Sequence, residues 1–331
     1  MIGRSGANKF LKNISKKDRV LLIHHTDLDG IISGIFLYRY CLSKTPNVTH
    51  LFYSYKEKIK CRKYKKYNKI IFSDLSDIGI HDLVQNFSAQ KNDILVIDHH
   101  QKEVNFGKNI AVYRNRPDEY IPCSRMAQEL FEKDQWLAMI GVLADAGEKY
   151  NSNTKYIKDF MQKEKITIDW YNKNVVYPIE NMLIYHNKNL EEVFNYILNL
   201  KNYKHIKSLE NISKKIEYEI NYQCNKCKNE SEKLGSFNFY LIKSKFPIKS
   251  IVASKLSSEN KDEVFIIATE EKRMIMFSVR SQRDDSNFAF LLKDTILDFK
   301  RASFGGHKKA AGGTFPKKYL PKFKKRLQKL I

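Results

Sequence analysis

Val20-Leu-Leu-Ile-His-His-Thr-Asp-Leu-Asp-Gly30 decides how the rest of the chain is read. Its first four residues form an apolar run, short and rich in branched side chains, as in a buried strand. Polar residues follow at once, and residues 31–42 then read as an apolar helix. The same grammar recurs downstream. Residues 49–54 are predicted as a second strand. Lys69-Ile-Ile-Phe72 is a third and runs into Asp74, and Asp93-Ile-Leu-Val-Ile97 is a fourth and runs into Asp98-His-His100. Residues 124–133 and 135–143 read as helices, the second leading into Ala144-Asp145. Strands alternating with helices predict a parallel α/β sheet. Three of the apolar strands stop at carboxylates or histidines, and ligands of open α/β sheets sit beyond the carboxyl ends of the strands.

The 331 residues suit about two domains of ~150 residues each. An apolar content of 42% is enough for a buried core. No run approaches the ~18 apolar residues of a membrane span, and residues 20–23 are too short for the core of a signal peptide. Residues 1–17 are basic and acid-free, a composition shared with organelle transit peptides. The expected compartment is the cytoplasm, with no membrane association. Five scattered cysteines (Cys41, Cys61, Cys123, Cys224 and Cys227) read as reduced thiols. Cys224 and Cys227 form a lone CxxC with no second pair to complete a zinc ribbon, so they read as two unrelated thiols on a polar helix. With 59 Lys+Arg against 37 Asp+Glu, the net charge of +22 favours a polyanionic partner. An overall abundance of Lys, Asn, Ile and Tyr accounts for part of that excess.

The pattern changes after about residue 151, where Tyr, Asn, Lys and Glu dominate and residues 190–200 and 206–222 are helical in period. Residues 210–234 read as a hinge helix. A second, smaller α/β unit follows, with strands at 237–242, 263–268 and 274–279 and a helix at 288–297. Ser303-Phe-Gly-Gly-His-Lys-Lys-Ala-Ala-Gly-Gly313 is a Gly-rich stretch read as a loop, and residues 316–331 form a basic helix. The expected organisation is therefore a parallel-sheet domain over 1–190, a helical connector over 191–235 and a substrate-binding domain over 236–331, with a cleft between the two domains.

His25, Asp27, Asp29, Asp74, Asp77, Asp98, His99, His100 and Asp145 are the candidate chemistry. Mixed His and Asp without Cys suits borderline-hard divalent cations such as Mn²⁺, Mg²⁺, Fe²⁺ or Zn²⁺. So many carboxylates in one crevice repel strongly without cations, which favours two metals over one. A two-metal site stabilises both the attacking and the leaving oxygens of a phosphoryl displacement.

His25-Thr-Asp27-Leu-Asp29-Gly30, Asp74, Asp98-His99-His100 and Asp145-Ala-Gly147 resemble the four ordered motifs of the DHH phosphoesterase superfamily. Gly305-Gly-His307-Lys-Lys-Ala-Ala-Gly312, with Val279-Arg280-Ser281, resembles the DHH-associated C-terminal domain of RecJ-type exonucleases and the nano-RNase oligoribonuclease branch. The resemblance implies that His25 and Asp27 hold one metal, that Asp29, His99 and Asp145 hold the other, and that Asp74 bridges them. It implies that Asp98 orients an imidazole and that His100 faces the scissile phosphate as hydrogen-bond donor or general acid. It places Arg280, Ser281, Gly305, Gly306 and His307 on a terminal phosphate or nucleotide. Ala144-Asp-Ala-Gly-Glu148 departs from the nano-RNase branch, where Thr often follows the Asp.

Other residues read as structural. His24 lies on the opposite face of its strand, and Asp77 is a helix N-terminal carboxylate. Arg114 and Arg116 belong to a solvated loop, and His50, His81, His186 and His205 lack partners in sequence. The basic stretch 56–69, with Tyr53, Tyr55, Tyr64 and Tyr67 in or just before it, suits a strand-tracking groove, but reads first as a solvated helix face. The expected function is an Mn²⁺-dependent exonuclease, with Mg²⁺ the second choice, on single-stranded DNA or RNA or short oligonucleotides, releasing mononucleotides. Alternatives are hydrolysis of cyclic dinucleotides, phosphoadenosine phosphate or polyphosphate, and a non-catalytic replication scaffold. A homodimer stays open.

Overall fold

A computed structural model describes residues 3–55, 58–100, 104–107, 110–283 and 288–330, with the side chains of 207, 288–291 and 307 left aside. The chain divides into two compact units, Met1–Glu210 and Asn211–Ile331. The predicted mixed α/β class holds in both.

In the first unit, β1 (Val20–His24), β2 (Val48–Phe52), β3 (Lys69–Ser73), β4 (Asp93–Asp98) and β5 (Ile110–Arg114) form one parallel sheet in the order β2-β1-β3-β4-β5. The unbroken apolar runs follow from burial on both faces. Leu21, Ile23, Ile70, Phe72, Ile94 and Val96 enter one core, while Val20, Leu22, Ile71, Leu95 and Ile97 enter the other. Truncating one such side chain to Ala costs ~2–5 kcal/mol. β5 escaped the sequence reading, as did the helix Arg4–Lys12, which buries Ala7, Phe10 and Leu11. The strand order switches direction between β1 and β3, and open sheets of this order bind their ligands at that switch point.

The helix Leu28–Lys44 leaves β1 at the switch. Asp27 is its N-cap, its carboxylate accepting the Gly30 N–H at 3.0 Å. Two glycines let this helix sit close to β1. A Cβ at Gly30 would lie 2.6–2.8 Å from His25, main chain included, and one at Gly34 would lie 2.8 Å from the His24 ring.

The second unit holds a mixed six-stranded sheet. β6 (Glu232–Leu234), β7 (Phe237–Leu241), β8 (Val264–Glu271), β9 (Met274–Ser281), β10 (Ser303–His307) and β11 (Ala310–Pro316) run in the order β10-β11-β9-β8-β7-β6, with only β7 and β8 parallel. The helix Lys249–Glu259 packs on β8 and β9. Leu292, Ile296, Phe323 and Leu327, from two further helices, join Phe239, Ile266 and Phe277 of the sheet in one core. The helix expected as a hinge spans Glu210–Glu230 and buries Cys224 and Cys227 as free thiols. The Gly-rich stretch is not a loop. It is the hairpin β10–β11, turning at Lys308-Lys309, because the glycines leave room for neighbouring strands: a Cβ on Gly313 would lie 2.7 Å from the Phe277 ring. No helix among the described residues is long and apolar enough to cross a membrane.

Candidate metal centre

The carboxyl ends of β1, β3 and β4 and the end of the helix Gln135–Ala144 bring His25, Asp27, Asp29, Asp74, Asp98, His99, His100 and Asp145 into one cluster, and leave Asp77 outside it. Three groups of candidate ligand atoms lie within 4.8 Å of one another: His25, Asp27 and Asp74; Asp29, Asp74, His99 and Cys123; and Asp74, Asp98 and His100. Asp74 belongs to every one. It directly follows β3 at φ 58, a left-handed conformation that Asp tolerates better than most residues.

That backbone turns the two carboxylate oxygens of Asp74 in different directions. Oδ2 lies 3.8 Å from His25 Nδ1, which also meets Asp27 Oδ2 at 2.6 Å. Oδ1 lies 3.2 Å from His99 Nε2, which also lies 3.7 Å from Asp145 Oδ2. Burial, then the charges of Asp27 and Asp29, holds the Asp74 carboxyl well above its ordinary range. Asp145 is raised to about 6, chiefly by burial.

Asp29 is buried and accepts the Cys123 N–H at 2.7 Å and the Ser124 N–H at 2.8 Å, at the start of the helix Cys123–Phe131. Helix N-terminal N–H groups favour an anion. Burial nonetheless wins and raises Asp29 to about 6. Cys123 donates its S–H to the Ile97 carbonyl, and burial, then the charge of Asp74, pushes its thiol well up. With its S–H turned to the Ile97 carbonyl, Cys123 leaves Asp and His as the donor set.

His100 is exposed and turns Nδ1 to Asp98 Oδ1 at 2.7 Å. Burial pulls its pKa down, but the bond to Asp98 and that carboxylate's charge outweigh it, and His100 is raised. Asp74 Oδ2, Asp98 Oδ2 and His99 Nδ1 are buried without hydrogen-bond partners. Crowded carboxylates, two imidazoles at their edges and orphaned buried oxygens fit a pair of divalent cations.

Sequence reading missed Tyr120. Its hydroxyl donates to Asp145 Oδ2 at 2.5 Å, its ring meets His99 edge-on at 4.9 Å and it stacks on Tyr150 at 3.9 Å. Its main chain is pinned. Ser152 Oγ accepts the Tyr120 N–H and donates to its carbonyl at 2.7 Å, and Asn153 Nδ2 donates to the same carbonyl at 2.9 Å. Tyr55, at φ 60, sets its ring 5.8 Å from that of His25, and its hydroxyl accepts the Ser76 N–H.

Four structural readings need amendment, one of them that of His81, whose Nδ1 lies 3.6 Å from Asp82 Oδ1. Arg114 is not on a solvated loop; it ends β5 and pairs with the buried Asp77 carboxylate, while Arg116 is exposed. Asp77 opens the helix Asp77–Ala89 as expected. His50 does have partners. Its Nε2 lies 3.3 Å from Glu191 Oε1, its Nδ1 lies 3.3 Å from His24 Nε2, and its ring stacks on Phe194 at 3.8 Å. His186 meets Glu192 at 2.9 Å. His24 is buried and structural, its pKa lowered to about 3 by burial.

In the second unit, Arg280 donates to Ser254 Oγ and to the carbonyls of Val279 and Ala311, and forms no ion pair among the described residues. Ser281 is buried, its Oγ accepting the Arg283 N–H. Gly306 has φ +145, and a Cβ there would lie 2.4 Å from Ala311 Cα, whereas Gly305 faces open space. Arg280 pairs in register with Ala310, and Ala310 with His307. Arg280 and His307 thus share one row, two strand spacings or ~10 Å apart. The His307 side chain lies outside the described part.

The model of the DHH family N-terminal domain matches residues 19–162, and that of the DHHA1 domain matches residues 247–331. No curated protein matches the sequence. The fold resembles a manganese-bound exonuclease RecJ, with a TM-score of 0.71 and 17% identity over 99% of this chain and 94% of that one. It also resembles RecJ of Thermus thermophilus in complex with Mn²⁺, with a TM-score of 0.71 and 16% identity over 98% of this chain. The present chain spans about half of that protein, 54% of its length. CDC45 of Entamoeba histolytica has a TM-score of 0.59 at 10% identity over 99% of both chains.

Proposed function

The chain belongs to the DHH superfamily of metal-dependent phosphoesterases, with a C-terminal DHHA1 domain, and from that premise we propose that it is an Mn²⁺-dependent two-metal phosphodiesterase. It removes mononucleotides from an end of single-stranded nucleic acid or short oligonucleotides. The observation that carries this reading is Asp74, whose two oxygens address two different His–Asp pairs.

One cation would be held by His25, Asp27 and Asp74, and the other by Asp74, His99, Asp145 and Asp29. Imidazole in both sets favours Mn²⁺ over Mg²⁺, which prefers oxygen and water. Two divalent cations, when bound, supply Lewis-acid polarisation of a phosphoryl oxygen and an activated water. Asp98 holds His100 Nδ1, so Nε2 is the atom left to donate a proton to the leaving oxygen. The bond to Asp98 raises the His100 pKa, which favours the protonated ring that such a donor requires. In the second unit Arg280, with no carboxylate among the described residues to neutralise it, matches a terminal phosphate by its planar fork. The narrow space at Gly306 shapes the hairpin beside it.

The test is purified protein with Mn²⁺ on end-labelled single-stranded oligomers two to twelve nucleotides long. Stepwise release of mononucleotides is expected, abolished by EDTA. Absence of mononucleotide at any length would sink the reading.

A further inference from the structure

The connection from the carboxyl end of β2 to the amino end of β3 carries Lys58, Lys60, Arg62, Lys63, Lys65 and Lys66, with no acidic residue between Lys58 and Ser73. All six side chains are exposed, and none forms an ion pair among the described residues. Nearby Lys69, by contrast, is buried and bridged to Asp93 at 2.8 Å. These six like charges, unpaired among the described residues, repel one another, and the segment that carries them is anchored from beneath. Cys61 and Tyr67 are buried in the first-unit core, and Ile59 and Tyr64 pack against it. Tyr67 donates to Thr49 Oγ1 at 2.7 Å, and Asn92 Nδ2 donates to the Tyr67 carbonyl at 2.6 Å. The short 3₁₀ turn Cys61–Tyr64 replaces the helix expected here.

The segment begins at the metal centre. Tyr55 stands against His25 and is held by the Ser76 N–H, two residues beyond Asp74. Lys58 is three positions beyond Tyr55, a reach of at most ~11 Å. From there the chain returns along the length of a five-residue strand, ~17 Å. A fixed row of cations leading away from a phosphodiester-cutting centre matches the repeating charge of a nucleic-acid backbone.

We propose that residues 58–66 form a track for the phosphates of single-stranded oligonucleotide lying beyond the nucleotide being cut. This rests on the reading above and adds that substrate affinity grows with strand length. An anionic membrane fits less well, because the apolar side chains of the segment point into the core and none is presented for insertion.

The test is binding of a fluorescein-labelled deoxythymidine 12-mer to the full chain in EDTA, by anisotropy across a salt series. The variant combines Arg62→Gln, Lys63→Gln, Lys65→Gln and Lys66→Gln. A control with equal charge change carries Lys9→Gln, Lys12→Gln, Lys16→Gln and Lys17→Gln, all exposed. At ~0.7 per phosphate contact, losing four contacts flattens the salt slope by ~2.8, so between about 50 and 200 mM salt the wild type loses ~50-fold more affinity than the track variant. Replacing Lys63, Lys65 and Lys66 by Arg should retain the wild-type slope. An unchanged slope in the track variant overturns the proposal, as does an equal drop in the control. A defect seen on phosphatidylserine vesicles but not on the 12-mer overturns it too. Because binding is read without turnover, a chain that binds through the track but releases no mononucleotide leaves this surface standing and removes only the hydrolase reading.

Discussion

Replacing Asp74 by Asn removes one negative charge from the point where all three ligand groups meet. Asp27, Asp29 and Asp98 each offer an oxygen within 4.8 Å of Asp74. At an effective dielectric of about 20, two unit charges at that distance repel by ~3.5 kcal/mol, and three such pairs by ~10 kcal/mol. That matches the entire stability of a domain, ~5–15 kcal/mol. Four ionised carboxylates therefore coexist here only with cations or protons, and this repulsion adds to burial, the larger cause, in holding Asp74 well above its ordinary range. Asn keeps the volume and tolerates φ 58, so the backbone survives. The metal-free variant is expected to melt no lower than the wild type. With Mn²⁺ at ~100 times its Kd, each bound cation should stabilise the wild type by ~2.7 kcal/mol. For a unit of 210 residues, Met1–Glu210, that is a rise in Tm of ~5–11 °C. The variant should gain less than ~2 °C and lose turnover by more than ~100-fold, beyond the effect of a mere supporting group. Differential scanning calorimetry with EDTA or Mn²⁺ reads the melting shifts, and mononucleotide release reads the turnover. A variant that keeps the full Mn²⁺ shift, or that melts well below the wild type in EDTA, refutes the argument.

Three further outcomes are expected. Tyr120→Phe removes the hydroxyl on Asp145 but keeps the ring stack, so Mn²⁺ affinity by titration calorimetry should fall ~10-fold with little change in Tm; an unchanged affinity would show that the hydroxyl does not preset Asp145. Gly30→Ala drives a Cβ to 2.6–2.8 Å from His25, costing ~1–3 kcal/mol by denaturant midpoint together with the first ligand pair; wild-type stability and Mn²⁺ binding in this variant would contradict the packing argument. In EDTA, Asp29 and Asp145, both raised to about 6 from an unfolded value near 3.8, bind more protons folded than unfolded. Their contribution to stability is therefore greatest below pH ~4 and is lost as pH rises to ~6. Mn²⁺ should abolish that part of the slope, and a slope identical with and without the metal counts against these two carboxylates as ligands.

Much of this architecture was legible because burial on both faces leaves a plain trace. Val20–Ile23, Ile70–Phe72 and Ile94–Ile97 are apolar without alternation, and only a covered parallel strand needs that. β5 was missed because its Tyr113 and Arg114 dilute the run. Gly305–Gly313 passed for a loop because glycine signals turns more often than it signals close strands. Tyr120 left no trace in sequence. It sits in an irregular segment and acquires its role from Ser152, Asn153 and Tyr150, some thirty positions on.

The chain by itself determined the strands β1, β3 and β4 of the first unit, the parallel α/β pattern they belong to, and that His25, Asp27, Asp29, Asp74, Asp98, His99, His100 and Asp145 lie at or just beyond the ends of strands and helices, because side-chain period and position at an element's end are local properties. Tertiary structure alone decided which oxygen of Asp74 meets which imidazole, that Asp29 anchors a helix N-terminus, and that Arg114 closes on Asp77. Those contacts join elements far apart in the chain and turn on single torsions such as φ 58 at Asp74, and no periodicity in the sequence encodes a torsion.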